Sequence, residues 1–315
     1  MSTPRAASMD KIVSLCKRRG FVFQASEIYG GIGNTYDYGP LGVELLRRVK
    51  DSWWDRMVRS RRDVVGLDSA IIQNPQTWIT SGHVGGFSDP LIDNKTSKQR
   101  YRADHLVEAK IAKYEKKGRT EQAAALQEKL NSTIGDNEGM RALIMECKIK
   151  CPVSGTDDWT EVRQFNLMFK TYMGAVQSED NIAYLRPETA QGIFLNFKNV
   201  LESSRQKPPF GIAQIGKSFR NEITPGNFVF RTREFEQAEM EFFVPPAEND
   251  EWFEYWKKER LQWYVDMGIE PDRLRMRDHD EDELAHYSTG CTDVEYEYPF
   301  GWGELEGIAC RTDFD

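Results

Sequence analysis

Apolar positions recur at helical spacing in three stretches, and alternate or run together in several others. Met9 to Arg19 predicts a short helix stopped by Gly20. The glycines of Tyr29 to Pro40 predict a loop, with Pro40 near the start of the next helix. From Leu41 to about Val58, Leu46, Val49, Trp53 and Met57 recur three and four residues apart, while Arg47, Arg48, Lys50 and Asp51 take the other face. Val64 to Ile72 is strand-like and closed by Asn74-Pro75. From Arg100 to about Ser132, Lys, Glu, Ala and Gln predict helix, broken by Gly135 to Gly139. Beyond it, Phe165 to Phe169, Ala183 to Leu185, Pro209 to Glu222 and Phe228 to Val244 predict strands of an antiparallel sheet, and Glu251 to Met267 a helix with an aromatic face. No internal repeat or low-complexity tract interrupts this order.

Composition narrows the class. The chain has 315 residues, 39% hydrophobic and 29% charged with eight Trp, which excludes a disordered or collagenous protein. No apolar run approaches the ~18 residues needed to span a bilayer, and Met1 to Gly20 lacks an apolar core of the signal-peptide kind. A cytoplasmic protein without a membrane partner is expected. Five scattered cysteines (Cys16, Cys147, Cys151, Cys291, Cys310) read as reduced thiols. A net charge of −8 means that any nucleic acid must meet a local basic patch. Cys147-x-x-x-Cys151 lacks a second thiol at Val153 or Ser154, and His83, His105, His279 and His286 have no i, i+4 pairing. No zinc site is expected, and the histidines read as structural or exposed.

One segment admits two readings. Gly211-Ile212-Ala213-Gln214-Ile215-Gly216-Lys217-Ser218 matches the phosphate-loop pattern of NTPases, which needs a strand ending at the first Gly and a helix opening at the Lys. The interior is strand-like instead, and Thr224-Pro225-Gly226-Asn227 would break such a helix. A hairpin fits better: strand Phe210 to Glu222, a turn around Pro225-Gly226-Asn227, and strand Phe228 to Val244. Alternation then puts Arg220 and Glu222 on one face of the first strand, and Arg231, Phe235 and Glu239 on one face of the second. Two guanidinium forks, a ring and carboxylates on one surface suit ATP-dependent activation of a carboxylate. Surface hairpin charges, a core Phe235 and a Glu188 that merely caps a helix near Thr189 are the plainer alternatives.

Phe219-Arg220-x-Glu222, a loop, then Arg231-x-x-x-Phe235-x-x-x-Glu239 resembles motif 2 of class II aminoacyl-tRNA synthetases. The strings Tyr184 to Gly192, Pro209 to Gly216, Arg233 to Gln237 and Gly301 to Gly307 are similar to the dimeric glycyl-tRNA synthetases, and the likeness runs from Asp10 to Asp315. It implies an α+β fold: a class II antiparallel sheet flanked by helices, with a helical insertion. Residues 1–8 would be a disordered leader, 9–99 the first part of the catalytic domain with the motif 1 helix of a homodimer interface, 100–150 the insertion, and 151–315 the continuation with motif 2. The family's third motif and anticodon-binding domain do not occur before Asp315, so the chain is expected to be an N-terminal and catalytic-core portion, its catalytic domain cut short.

By the same resemblance, Arg220 and Arg231 are the catalytic pair, on the α-phosphate with the substrate carboxylate and on the outer phosphates. Glu222 would read the adenine edge and Phe235 stack on adenine. Asn221, Phe230, Thr232, Arg233, Glu234, Glu304 and Leu305 complete the expected ATP site. Glu188 and Glu239 would hold the glycine ammonium, with Phe235, Glu236, Gln237, Ala238, Arg311 and Arg100 also at the glycine site. The implied reactants are ATP with Mg²⁺, glycine and tRNA(Gly). A synthetase-derived protein that binds a nucleotide or partner without catalysis is the alternative, and a phosphate-loop NTPase the third.

Overall fold

The computed structural model describes residues 8–223, 226–280, 283–285 and 288–313. The leader before Ser8, Pro225 of the hairpin turn, His286 and the last two residues lie outside the described residues.

Helix α1 (Met9–Arg19) ends where the expected Gly20 adopts φ 72° and its N–H reaches back to Cys16 and Lys17. Strands β1 (Val22–Gln24) and β2 (Tyr36–Tyr38) then pair, so part of the expected Gly-rich loop is a small hairpin. Pro40 opens α2 (Pro40–Trp54), which runs on through a π-helical turn at Asp55–Arg59. Trp53 and Met57 of its apolar stripe enter the core, whereas Leu41, Leu45 and Val49 remain 45%, 53% and 38% exposed. The strand expected to reach Ile72 is only β3 (Val64–Gly66). After it, Asn74 accepts from the Gln76 N–H at 2.9 Å to cap α3 (Pro75–Thr80), and the turn α4 (His83–Gly86) follows.

The helical stretch begins later than its composition suggests, because Arg100–Arg102 is itself a strand. β4 (Ser88–Asp93) is flanked by β5 (Arg100–Arg102) and β6 (Arg163–Asn166), all antiparallel. Between β5 and β6 rise α5 (Ala103–Glu115), α6 (Thr120–Ser132) and α7 (Asn137–Glu146). Their core of Val107, Leu126, Met140, Ile144 and Trp159 is separate from the rest. Glu138 and Gly139, read above as helix breakers, lie inside α7. Asp136 caps it through the N–H groups of both, and a Cβ on Gly139 would come 2.4 Å from that carboxylate. The glycine thus leaves room for the cap.

The remaining elements build the site. β7 (Lys170–Tyr172) pairs β8 (Ile182–Tyr184), and α8 (Ala190–Ser204) follows. The long hairpin is β9 (Phe210–Phe219) and β10 (Glu234–Phe243), in register from Glu234↔Phe219 to Phe243↔Phe210. β3 joins β9 in parallel, so this sheet is mixed where an antiparallel one was expected. Phe228–Phe230 is a 3₁₀ turn, and the second strand starts at Glu234. Helix α9 (Asn249–Asp266) packs Trp256, Trp263 and Tyr264 beneath the sheet with Trp53, Met57 and Ala213. Its buried Arg260 forks onto Glu306 at 2.6 and 2.9 Å, and Tyr264 OH donates to the same carboxylate. Glu306 belongs to a three-stranded meander that the pattern did not reveal: β11 (Leu274–Asp278), β12 (Ser288–Tyr298) and β13 (Gly301–Arg311). Among the described residues, no helix is long and apolar enough to cross a membrane.

Candidate active site

Gly211 to Ser218 lies wholly within β9, largely buried, paired with β10 along its length and with β3 from Gly211 to Ala213, so the phosphate-loop reading is overturned. No helix opens at Lys217, whose ammonium pairs with Glu234 across the hairpin. β9 ends at Phe219, and Arg220 to Glu222 leave the strand as a loop. Its ties are the Arg220 N–H to the Arg233 carbonyl at 2.9 Å and the Asn221 N–H to the Leu167 carbonyl at 2.8 Å.

Arg220 is central to the arrangement. Its Nε donates to the Pro187 carbonyl at 3.0 Å, and its guanidinium lies 5.3 Å from the Phe235 ring centre and 5.4 Å from that of Phe87. Phe87 is in edge contact with His83, and His83 with Trp78, which has no exposed surface. His83 Nε2 stands 3.3 Å from Glu188. One column of rings, closed by the Arg220 guanidinium, thus runs from the fully buried Trp78 to the hairpin. Glu188 does not cap α8: the cap position is Thr189, whose hydroxyl is given to Glu239 instead.

The two carboxylates are held differently. Burial pushes the Glu188 carboxyl up, but His83, the Gln191 side chain and Arg220 outweigh it and leave it below the ordinary range. Burial pushes Glu239 up, Glu188 adds to this, and the Thr189 bond and Arg220 only partly oppose it, so it ends above. Two carboxylates whose proton affinities are pushed apart, Glu188 down and Glu239 up, form a site short of positive charge. Beneath them, Gln214 opposite Glu239 has no exposed surface; its Oε1 accepts the Ser69 N–H at 2.8 Å, while its Nε2 has no partner. Gln191 Oε1 and Gln73 Oε1 are also buried and unpartnered. A Cβ on Gly192 would meet Ser69 Oγ at 2.0 Å and Gln73 Nε2 at 3.2 Å, which brings these amides together. Unpaired buried amides are costly unless a bound polar molecule or water completes them.

Strand alternation sorts the other residues of the hairpin. Phe235, Gln237 and Glu239 share one face of β10, with Gln237 accepting from Ser218 Oγ at 2.9 Å. Glu234, Glu236 and Ala238 face the other way; Glu234 pairs with Lys217, and Glu236 with Lys50 of α2 at 2.7 Å. Arg233 is a brace, donating to the Glu222 carbonyl at 3.1 Å and the Gly33 carbonyl at 2.5 Å, and Thr232 Oγ1 bonds the Glu234 carbonyl. Arg231 is exposed beside the turn, its carbonyl held by Asn34 at 2.8 Å. Phe230 packs edge-on against Tyr298 and Phe300.

Glu304 stands above its ordinary range, first through burial and then through Asp293, against the pull of His279 and Arg220. The side chain of Leu305 packs into the core instead. Arg311 lies 5.4 Å from the Phe194 ring centre on α8. Arg100 forks onto Asp93 at 2.8 and 3.3 Å on an exposed strand of the insertion sheet. The insertion reaches toward motif 2 through a different residue, Arg102, which holds Asp89 at 3.0 Å, and Asp89 in turn feels Glu222 and Arg231.

Sequence reasoning assigned no part to His83, Trp78, Phe87, Arg186, Thr189, Gln191 or Gln214. Arg186 is 1% exposed, and its Nε and Nη1 donate to the Lys217 carbonyl at 2.6 Å and the Ser69 carbonyl at 2.8 Å. It fixes the segment that carries Glu188 and Thr189. A signal existed for three of these residues, since Arg186, Thr189 and Gln191 belong to the Tyr184 to Gly192 string.

Two family models match parts of this chain. A family model described as the tRNA synthetase class II core domain (G, H, P, S and T) matches residues 169–298, which contain the hairpin and both carboxylates. A second, described as glycyl-tRNA synthetase insertion domain 1, matches residues 89–127 and 119–167. The chain is 58% identical over 308 residues to a protein of Macrococcus caseolyticus named glycine--tRNA ligase, an alignment covering 98% of this chain and 64% of that protein. A Geobacillus thermodenitrificans protein of the same name is 55% identical over 313 residues, with 98% and 64% covered. This chain therefore belongs to the glycyl-tRNA synthetase family of class II enzymes. It spans about 64% of the length of these relatives.

Proposed function

We propose that this chain provides the glycine- and ATP-recognising part of a glycine--tRNA ligase. The observation that carries the reading is the pairing of Glu188 and Glu239 beside Arg220, with Thr189 and His83 holding the carboxylates in place. The glycine ammonium is drawn between the two carboxylates, and the buried amides of Gln191 and Gln214 supply hydrogen bonds and close the space against a side chain. Arg220 then faces the two anions that must meet, the glycine carboxylate and the ATP α-phosphate. A glycine carboxylate oxygen forms a bond to the α-phosphorus as the bond to the β-phosphate oxygen breaks, which gives glycyl-adenylate and pyrophosphate. The guanidinium lowers the barrier by offsetting charge on the phosphate, and the strand end holds it there before the reaction. Phe235 offers a ring for adenine, Glu222 its edge, and Arg231 the outer phosphates. Asn221, Phe230, Thr232, Arg233 and Glu234 shape the loop around them.

Mg²⁺ bound with ATP would neutralise phosphate charge. Glu304 fits it, because a half-buried carboxyl raised by a neighbouring acid is relieved by a cation. The glycyl-adenylate would then pass its acyl group to tRNA(Gly). The exposed Leu41, Leu45 and Val49 of α2 suit a homodimer contact, and the setting we infer is the cytoplasm. We assign residues 88–167 to the insertion, wider than the expected 100–150 because β4 and β6 belong to it, and residues 9–87 and 168–315 to the catalytic domain. The test is glycine-dependent exchange of labelled pyrophosphate into ATP. Exchange that needs glycine and is not supported by alanine is expected; ATP hydrolysis indifferent to glycine would refute the reading.

A further inference from the structure

Beside Glu304, the meander carries a second concentration of ligating side chains that the proposed function does not use. Among the described residues, the imidazole of His279, the thiol of Cys291 and the carboxylate of Asp293 place one donor atom each within 4.8 Å of one another. The backbone fixes this proximity. His279 continues the line of β11 and donates its N–H to the Cys291 carbonyl at 2.9 Å, while Cys291 and Asp293 are two residues apart on β12 and so share a face. Across the sheet their partners on β13 are Ala309 and Gly307. A Cβ added to Gly307 would lie 3.4 Å from Glu304 Oε1 and 3.6 Å from Asp293 Oδ1, so the Glu304 carboxylate borders the donors on that side.

We propose that His279, Cys291 and Asp293 form a binding site for a borderline divalent metal ion of the zinc class. The donor set argues for this class over magnesium or calcium: a thiolate and an imidazole are poor ligands for hard cations and good ones for Zn²⁺. In tetrahedral zinc the donors stand roughly 3.5 Å apart, a geometry the present spread reaches by a contraction of about 1 Å. His279 Nε2 and Asp293 Oδ2 are already at 2.8 Å, so the metal takes the place of that hydrogen bond. On binding, the Cys291 S–H proton and any proton on Nε2 pass to solvent, and the sulfur and nitrogen lone pairs form the new bonds. Arg277, 3.7 Å from Asp293, is neutralised by its contact with Glu283. The fourth position stays open to water. The ion would fasten the chain beyond β11 to β12.

The test uses the chain as it is, with Co²⁺ as the probe in the presence of excess Mg²⁺ to fill hard-cation sites. A near-ultraviolet thiolate-to-cobalt band should appear with visible tetrahedral bands, and Zn²⁺ should displace both. Cys291→Ser should abolish the near-ultraviolet band, and His279→Asn should weaken Zn²⁺ by about 10²-fold or more, each with the melting temperature of the metal-free chain unchanged. Cys151→Ser should keep the band, which separates this trio from the insertion thiol. Absence of a thiolate band at saturating Co²⁺, or its survival in Cys291→Ser, would overturn the proposal.

Discussion

Gly216 stands in the middle of β9 and has no side chain because another residue uses the space. A Cβ built there lies 2.2 Å from Arg186 Nη2, 3.2 Å from its Cζ and 3.3 Å from Thr189 Cγ2. In Gly216→Ala the guanidinium must therefore retreat by more than ~1 Å to reach ordinary contact distance. That movement stretches both the 2.6 Å bond to the Lys217 carbonyl and the 2.8 Å bond to the Ser69 carbonyl. Hydrogen bonds from a charged group contribute ~1.5–3 kcal/mol each. Alanine in a strand returns about 0.5–1 kcal/mol in backbone entropy. The net cost is about 3 kcal/mol, which for a chain of this size lowers the melting temperature by roughly 4–5 °C. Because Arg186 precedes Glu188 and Thr189, the KM for glycine should rise as well. The decisive assay is a double-mutant cycle read by thermal unfolding. In an Arg186→Lys background the clashing Nη2 is absent, so Gly216→Ala should become neutral or slightly stabilising. The same destabilisation in both backgrounds would refute the assignment of Gly216 to the Arg186 cradle.

Arg220→Ala should lower the rate of glycine-dependent pyrophosphate exchange by about 10²-fold or more, and Arg220→Lys should restore little, because an ammonium cannot replace a planar fork; near-normal exchange in either variant would exclude the role. Glu188→Gln should raise KM for glycine far more than KM for ATP, whereas equal changes would mark Glu188 as a structural residue. Glu239 adds a pH test. Its folded-state value is raised by burial and by Glu188, so its contribution to stability is full below the ordinary value of 4.5 and is lost as pH rises through the raised one. Glu239→Gln should accordingly melt higher than the parent at neutral pH, with the difference closing in acid; no gain at neutral pH would show that the site already relieves this carboxylate.

The sequence pattern located the long helices and the hairpin, because each carries its own signal: Gly20 and Pro40 as boundaries, the Trp53 and Met57 stripe, and the alternation that separates Phe235 and Glu239 from Glu234 and Glu236. It failed where pairing is decided by distant partners. β3 is a three-residue strand whose state depends on β9 some 150 residues later. The strands from Leu274 to Arg311 are rich in charge taken up by ion pairs such as Arg275 with Glu295 and Arg260 with Glu306, so no apolar run announces them. At the site, the residues with chemical roles came from the spacing of motif 2 and the strings around it. Those that hold them, such as Arg186 and Gln214, are polar groups in the interior, and only their buried partners reveal the reason. The reading of Gly211 to Ser218 as a phosphate loop shows the converse hazard, since a letter pattern matched while its strand-turn-helix context did not.

The feet of the helical insertion have a consequence for how the chain folds. Ser88 on β4 is the direct partner of Asn166 on β6, so the polypeptide leaves and re-enters the body at neighbouring strands ~5 Å apart. Closing that span with an unstructured segment would cost about 3 kcal/mol more than closing a turn of a few residues. The insertion has its own apolar centre and can settle first; once it does, the long span behaves topologically as a tight turn. The effective sequence separation between β3 and β9 shrinks with it, so the parallel pairing that organises the catalytic sheet waits on the insertion for its speed more than for its stability.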